Sequence, residues 1–263
     1  MKKILVPIDF SRGARAASEY AASLARIFMG EIYLVYVFTE PIAVIEGTAV
    51  AWPVKGGESQ EKNDALVENE INYLKDTYGV NVEGYALIGS RTDTINDLIN
   101  EISADLVVMG TGNTALSIIR KIKTPVLLVP ENASFVPVKH IVLAADFNEV
   151  TNIECFNLLL EFAGKIDAML QVLHVKRQHD EDQPDSPGKQ QLHDVLSKIT
   201  YWYQEVEAES VEQGIGNFIE SHPAELLVMV AHSHNVFERI FGTVHTSSMI
   251  YETKLPLLVL EDK

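Results

Sequence analysis

Two aspartates of this 263-residue chain each follow directly after an apolar run, where a carboxylate is well placed for chemistry. Asp9 follows residues 4–8, and Asp146 follows residues 141–145. A carboxylate there can act as a general acid or base, accept hydrogen bonds from a ligand, or begin a helix, where negative charge is favourable. Neither aspartate has a paired acid or a motif base beside it. We therefore expect each to be a ligand acceptor or a helix-start residue.

A short glycine-containing turn, Gly110-Thr111-Gly112-Asn113-Thr114, follows another apolar run at residues 106–109. It is too short for a dinucleotide-binding turn, which needs a third glycine. The chain also contains no nucleophile elbow, no Walker sequence and no HExxH motif. The motifs therefore indicate no catalytic residue.

Three histidines, His232, His234 and His245, fall near the end of the apolar run 226–231. A His-x-His pair on a loop can bind zinc if a third ligand converges on it. No cysteine or carboxylate of suitable spacing flanks these histidines, so we expect polar loop residues and no metal site.

A further hypothesis is an anion-binding site at the start of the first helix, because Ser11 is followed by Arg12 and Arg15. The alternative, which we favour, is that Ser11 only caps the helix and that both arginines lie on the surface. Cys155 falls within an apolar helical pattern, which predicts core packing and not a nucleophile.

The elements that must position these residues occur twice. Residues 3–11 align with residues 140–148 at an offset of 137 positions. Two later blocks recur in the same order, 104–109 with 224–229 and 124–129 with 255–260. This repetition indicates a duplicated domain. A proline-containing connector, residues 130–137, separates the halves, so we predict domains at residues 1–133 and 138–263.

Each half alternates apolar strands with amphipathic helices, which predicts a doubly wound parallel sheet. Ligands of such sheets bind beyond the carboxyl ends of the strands, here after the first and fourth strands of each half, at Asp9, Gly110, Asp146 and Val230. The hydrophobic pattern of residues 201–209 is also compatible with a continuation of the preceding helix. The predicted strands lie near residues 4–8, 32–38, 80–88, 105–110, 126–129, 141–144, 168–175, 201–209, 226–231 and 257–260.

The charge balance argues against polyanionic partners. The chain carries 21 Lys and Arg against 37 Asp and Glu, a formal net charge of −16. Such a chain repels nucleic acid and anionic membranes, so we expect neither as a partner. We find no signal peptide and no apolar run of about 18 residues, and Cys155 is the only cysteine. We therefore expect a cytoplasmic protein.

The chain resembles a tandem universal stress protein. The resemblance rests on blocks that occur in the same order in both halves: 3–11, 33–37, 104–111 and 123–129, then 141–146, 173–175, 225–229 and 254–259. It implies two five-stranded sheets of strand order 3-2-1-4-5, related to adenine-nucleotide hydrolases. It also implies that the two fifth strands pair within the chain as a pseudo-dimer, and it leaves a homodimer open, because family members often associate.

Many members of that family bind ATP, and the resemblance implies where. The family motif after the fourth strand is Gly-x-x-Gly, nine residues, then Gly-Ser or Gly-Thr, and an aspartate after the first strand reaches the nucleoside. The candidate nucleotide-binding residues are therefore Asp9, Val37, Gly110, Thr111, Gly112, Asn113 and Thr114 in the first half, and Asp146, Gly242 and Thr243 in the second.

Both halves depart from the family motif. Fifteen positions separate Gly110 from Pro125, whereas 26 separate Val230 from Pro256, so the first loop is shorter by 11 positions. The second loop begins Val230-Ala-His-Ser-His-Asn235 without glycine. We expect degenerate sites for which ATP or AMP is the candidate ligand.

The function expected from these observations is that of a non-enzymatic stress-response binding protein. Two alternatives remain. One is an ATP-binding, weakly hydrolysing switch that uses the first-half pocket. The other is an interaction scaffold with empty pockets.

Overall fold

The structure is a computed structural model that describes residues 1–39, 42–44, 51–53, 57–145, 152–177, 187–231 and 255–261. Its strands are β1 Lys3–Ile8, β2 Glu31–Phe38, β3 Ile42–Val44, β4 Ala51–Pro53, β5 Asn81–Ile88, β6 Leu106–Gly110, β7 Val126–Val129, β8 His140–Ala144, β9 Met169–Arg177, β10 Tyr201–Ala208, β11 Leu226–Ala231 and β12 Leu257–Glu261. Its helices are α1 Arg12–Phe28, α2 Gly57–Tyr78, α3 Arg91–Ile102, α4 Asn113–Ile119, α5 Asn157–Ile166, α6 Pro187–Leu196 and α7 Val211–Ser221, with a 3-10 turn at Ile153–Phe156.

Ten of these strands form one continuous sheet in the order β10-β9-β8-β11-β12-β7-β6-β1-β2-β5. Within each half the strands are parallel and follow the order 3-2-1-4-5, as the resemblance implies. The fifth strands β7 and β12 pair antiparallel, with Leu127 opposite Leu258. This pairing covers two apolar edge strands that would otherwise be open to other chains. The predicted fold class is confirmed.

The strands are apolar because both faces of the sheet are covered. Ile4, Val6 and Ile8 of β1 belong to one buried cluster, and Leu5 belongs to another on the opposite face. This alternation follows from the two-residue period of a strand. It explains why β1 is a continuous apolar run in the sequence.

The start of each half is held in the same way. The carboxylate of Asp105 accepts a hydrogen bond from the backbone N–H of Lys3 at 3.0 Å. In the second half, the carboxylate of Glu225 accepts one from the N–H of His140 at 2.7 Å. The two acids occupy equivalent places in the repeated blocks before the fourth strand. The duplication therefore extends to individual hydrogen bonds.

Two local expectations need correction. We expected a loop around Trp52 and Pro53, but the chain there forms β4, which pairs antiparallel with β3 as a separate two-stranded sheet. We expected the helix after Gly112 near residues 115–122, whereas α4 begins at Asn113. The ambiguous segment 201–209 is a strand, β10, and pairs with β9 along eight residues.

None of the helices in the described residues is both long enough and apolar enough to cross a membrane.

Candidate functional site

A cavity of about 410 Å³ opens at the carboxyl ends of the first-half strands, and we call it the first-half cavity. Its position agrees with the rule that ligands of doubly wound sheets bind where the strand order reverses, here between β1 and β6. Its volume lies in the range of small-molecule sites, roughly 300–1,000 Å³. It is lined by Pro7, Ile8, Asp9, Ser11, Gly13, Ala14, Arg91, Met109, Gly110, Thr111, Gly112, Ala115, Ile118, Pro130, Glu131 and Asn132.

Asp9 lies at the rim of this cavity, directly after β1. Its Oδ1 atom accepts a hydrogen bond from the backbone N–H of Ser11 at 3.0 Å. The hydroxyl oxygen of Ser11 accepts one from the N–H of Ala14 at 3.2 Å, which caps α1. Asp9 is therefore both a helix-start residue and an exposed carboxylate that lines the cavity.

The backbone turns sharply between Asp9 and Ser11. Phe10 adopts a left-handed conformation with φ of 60°, which costs a non-glycine residue about 1–2 kcal/mol. Its ring packs against Tyr36 at a centroid distance of 4.9 Å, and this contact offsets part of that cost. Backbone strain of this kind often occurs at binding sites.

The two glycines of the turn after β6 have different surroundings. A Cβ atom on Gly110 would lie 2.9 Å from the carbonyl carbon of Gly13, so only glycine allows β6 to approach the first turn of α1 so closely. A Cβ atom on Gly112 would meet no atom within 4 Å, and Gly112 faces open space in the cavity wall. Packing explains Gly110, and it does not explain Gly112.

The structure brings together Asp9, Gly110, Thr111 and Gly112 among the predicted nucleotide-binding residues. Val37 is buried in the core beside β1 and does not line the cavity. Asn113 and Thr114 are the first two residues of α4. The second-half candidates Asp146, Gly242 and Thr243 lie outside the described residues, as do His232, His234 and His245.

Three polar lining residues were not predicted from the sequence: Arg91, Glu131 and Asn132. Arg91 begins α3 after β5, and Glu131 and Asn132 follow β7. These residues also follow the carboxyl ends of parallel strands, so the topological rule that indicated Asp9 can find them. The prediction from the sequence named no residue that follows the third or fifth strand, and it therefore missed all three.

The charges of the lining are unbalanced. Asp9 and Glu131 carry negative charge, and among the described lining residues Arg91 is the only cation. Lys121, which follows α4, donates a hydrogen bond to Asp93 at 3.0 Å instead. Hydrogen bonds from Lys121 and Ser90 lower the pKa of Asp93 below its ordinary value. The formal charge of the described lining residues is therefore −1.

The alternative anion site at Ser11, Arg12 and Arg15 does not assemble. Arg15 donates a hydrogen bond to Glu70 of α2 at 2.9 Å, and its guanidinium lies over the ring of Tyr73. Arg12 is the first residue of α1 and does not line the cavity. Ser11 acts as a helix cap, as we favoured.

Two further candidates from the sequence are a metal site and Cys155. The described residues hold no group of three or more His, Cys, Asp and Glu side chains able to bind a metal ion. Cys155 lies in the 3-10 turn, partly buried, and packs against the core cluster that includes Phe156.

Known proteins resemble this chain in sequence and in fold. Residues 1–130 match the sequence profile of the universal stress protein family. A universal stress protein of Methanocaldococcus jannaschii is 26% identical over 139 residues, which are 49% of this chain and 81% of that protein.

Two solved structures extend the similarity in fold to the whole chain. A universal stress protein from Archaeoglobus fulgidus has a TM-score of 0.74 at 15% identity and covers 99% of this chain and 96% of its own. A protein of unknown function from Pseudomonas aeruginosa has a TM-score of 0.57 at 14% identity. The alignment covers 100% of this chain and 93% of that one.

The sheet order, the repeated halves and the cavity at the strand-order reversal define a tandem, Rossmann-like α/β protein. The first half of the chain matches the universal stress protein family, and the second half repeats the same strand order.

Proposed function

We propose that this protein acts in the stress response by binding a small adenine-containing ligand in the first-half cavity, without catalysing a reaction. The observation that carries this proposal is the placement of Asp9 and the Gly110–Gly112 turn on one cavity at the point where strand order reverses. The family resemblance implies an aspartate and a glycine turn in these places in members that bind ATP.

The chemistry of the lining supports binding over catalysis. The described lining residues include no histidine, cysteine, lysine or tyrosine, which are common general bases and nucleophiles. One oxygen of Asp9 is already engaged by the N–H of Ser11. Glu131 lies on a different loop, after β7. We therefore assign Asp9 the role of an acceptor for ligand hydroxyl groups.

The short loop supports a degenerate site. The family motif places an extended loop between its first glycines and the following helix, but here α4 begins at Asn113, directly after Gly112. The backbone N–H groups left to bind phosphate are those of the short turn and of the first turn of α4, because those further along bond within the helix. We propose AMP or another nucleotide with a short phosphate tail as the ligand, in preference to ATP.

We also propose residues 1–133 and 138–263 as the two units of the protein. The connector between them contains no helix or strand from residue 131 to residue 139. Its Phe135 packs edge-on against Tyr20 of α1 at 5.0 Å. The connector therefore contacts α1 of the first unit.

A melting experiment tests the proposed function. AMP at 100 times its dissociation constant stabilises a protein by about 2.7 kcal/mol, so we expect a clear rise in melting temperature. Asp9→Asn keeps an oxygen for the N–H of Ser11 but loses the carboxylate charge, and it should reduce the AMP shift. Asp76→Asn, at an exposed position of α2, is the matched control and should keep the full shift.

Other outcomes would replace the proposal. If neither AMP nor ATP changes the melting temperature, and no nucleotide is released on denaturation, the interaction scaffold is the better account. Phosphate release from ATP that disappears in Asp9→Asn would instead establish the hydrolysing switch.

A further inference from the structure

We propose that Arg91 is the anion-binding residue of the first-half cavity and selects a nucleotide with a single phosphate. This inference rests on the proposed function, since it concerns the ligand of the same cavity. It assigns to one side chain of α3 the role that an extended glycine loop would otherwise perform.

The position of Arg91 follows from the topology. Helix α3 connects β5 to β6 and so begins at the carboxyl edge of the sheet, where Asp9 and the Gly110–Gly112 turn also lie. Arg91 is its first residue and lines the cavity. A guanidinium presents several N–H donors in one plane, which matches two oxygens of a phosphate.

Helix stability does not explain an arginine at this place. A cation in the first turn of a helix opposes the helix dipole, which favours negative charge there. Residue 91 is exposed, so its side chain contributes little to the core. Its guanidinium is therefore accessible from the cavity that it lines.

The charge of the lining limits how many phosphates fit. Asp9 and Glu131 face the same cavity as Arg91, and the described lining holds no second cation. A phosphate monoester carries about −1.5 to −2 at neutral pH, and each further phosphate adds negative charge that Arg91 alone does not balance. We therefore expect AMP to bind more tightly than ATP.

Titration calorimetry with adenosine, AMP and ATP tests this assignment on the full-length protein. Charge-assisted hydrogen bonds are the strong ones, so Arg91→Gln should weaken AMP binding about tenfold or more and change adenosine binding by less than about twofold. Arg91→Lys keeps the charge without the planar donors, and we expect an intermediate AMP affinity. Arg26→Gln, at an exposed position in the last turn of α1, is the control and should leave all affinities unchanged.

Folding and salt measurements separate a binding role from a structural one. Arg91→Gln should keep a cooperative melting transition, because residue 91 is exposed and lies outside both core clusters. Added salt should weaken AMP binding to the parent more than to Arg91→Gln.

Several results would overturn the inference, and one of them also overturns the proposed function. If Arg91→Gln weakens adenosine and AMP equally, Arg91 does not bind the phosphate. If ATP binds the parent more tightly than AMP, the charge argument is wrong. If neither adenosine, AMP nor ATP binds the parent protein, the proposed function fails and this inference fails with it.

Discussion

At the scale of single residues, the two glycines after β6 illustrate how similar sequence positions serve different purposes. Gly110 is required where β6 meets the first turn of α1, since a Cβ atom would lie 2.9 Å from the backbone of Gly13. Gly112 has open space around it and an ordinary backbone conformation. Both look like ligand-binding glycines in the sequence, but only Gly112 is left without a packing role.

This difference predicts that alanine at position 110 lowers stability, whereas alanine at position 112 lowers ligand affinity. Gly110→Ala should destabilise the protein by about 1–3 kcal/mol, because backbone must move to admit the methyl group. Gly112→Ala should change the free energy of unfolding by less than about 0.5 kcal/mol but weaken AMP binding, since the methyl group enters the cavity. Urea unfolding and calorimetry measure the two effects. Equal destabilisation by both substitutions would contradict the assignment.

Sequence reasoning located part of the cavity lining and not the rest, for a physical reason. Asp9 and Gly110–Gly112 follow buried strands and can be found from topology. Val37 lies one residue before the end of β2, and the pleat of the strand turns its side chain toward the buried core. Arg91 and Glu131 belong to elements far apart in sequence, and only the folded sheet brings them to one cavity.

At the scale of elements, a cluster of charged and aromatic side chains joins α1 to α2. Arg15 of α1 donates to Glu70 of α2, and the hydroxyl of Tyr73 donates to Glu19 at 2.8 Å. Glu70 is 6% exposed, and its Oε1 atom has no hydrogen-bond partner among the described residues. Burial, together with the negative charge of Glu19, raises the pKa of Glu70, although Arg15 lowers it.

The raised pKa predicts a pH dependence of stability. The folded protein holds the Glu70 proton more tightly than the unfolded chain, so stability from this group is complete below its ordinary value of 4.5 and is lost as pH rises through the higher folded pKa. Glu70→Gln does not titrate. The unfolding free energy of the parent should therefore fall relative to that of Glu70→Gln as pH rises above 4.5.

Urea unfolding of both proteins across this pH range measures the difference. Comparing the two removes the contribution of the other carboxylates, which titrate in both. A difference that stays constant, or that grows in favour of the parent as pH rises, would contradict the direction of the shift.

Most elements were predictable because their patterns are long and regular, and the exceptions are instructive. Strand β10 is at the end of the sheet and, among the described strands, pairs with β9 alone, and its residues are half-buried or exposed. Its pattern is therefore weaker than that of the central strands, and the sequence left it ambiguous with a helix. Strands β3 and β4 have three residues each, too few for a periodic signal.

At the scale of the whole molecule, the pairing of β7 with β12 makes two repeated units into one sheet. The units have the same strand order, and equivalent carboxylates, Asp105 and Glu225, hold the start of each first strand. The fifth strands are buried along their whole length. Duplication thus supplies within one chain the partner that an isolated unit would lack.

The register of this pairing predicts where a disulfide can form. Leu127 lies opposite Leu258, and both side chains belong to the same buried cluster. Directly opposed residues of antiparallel strands have Cα atoms about 4.5–5.5 Å apart, within the range of about 4.4–6.8 Å that a disulfide requires. A Leu127→Cys, Leu258→Cys protein in a Cys155→Ser background should therefore lose its free thiols on mild oxidation.

The control shifts one cysteine by a single position. Val259 faces the opposite side of the sheet from Leu127, in the other buried cluster, so Leu127→Cys with Val259→Cys should keep both thiols. Thiol titration and intact mass distinguish the two proteins, and non-reducing gels exclude bonds between chains. Closure of the control pair, or an open Leu127–Leu258 pair in a folded protein, would show that β7 and β12 meet in another register. The single sheet that joins the two units would then be assembled differently.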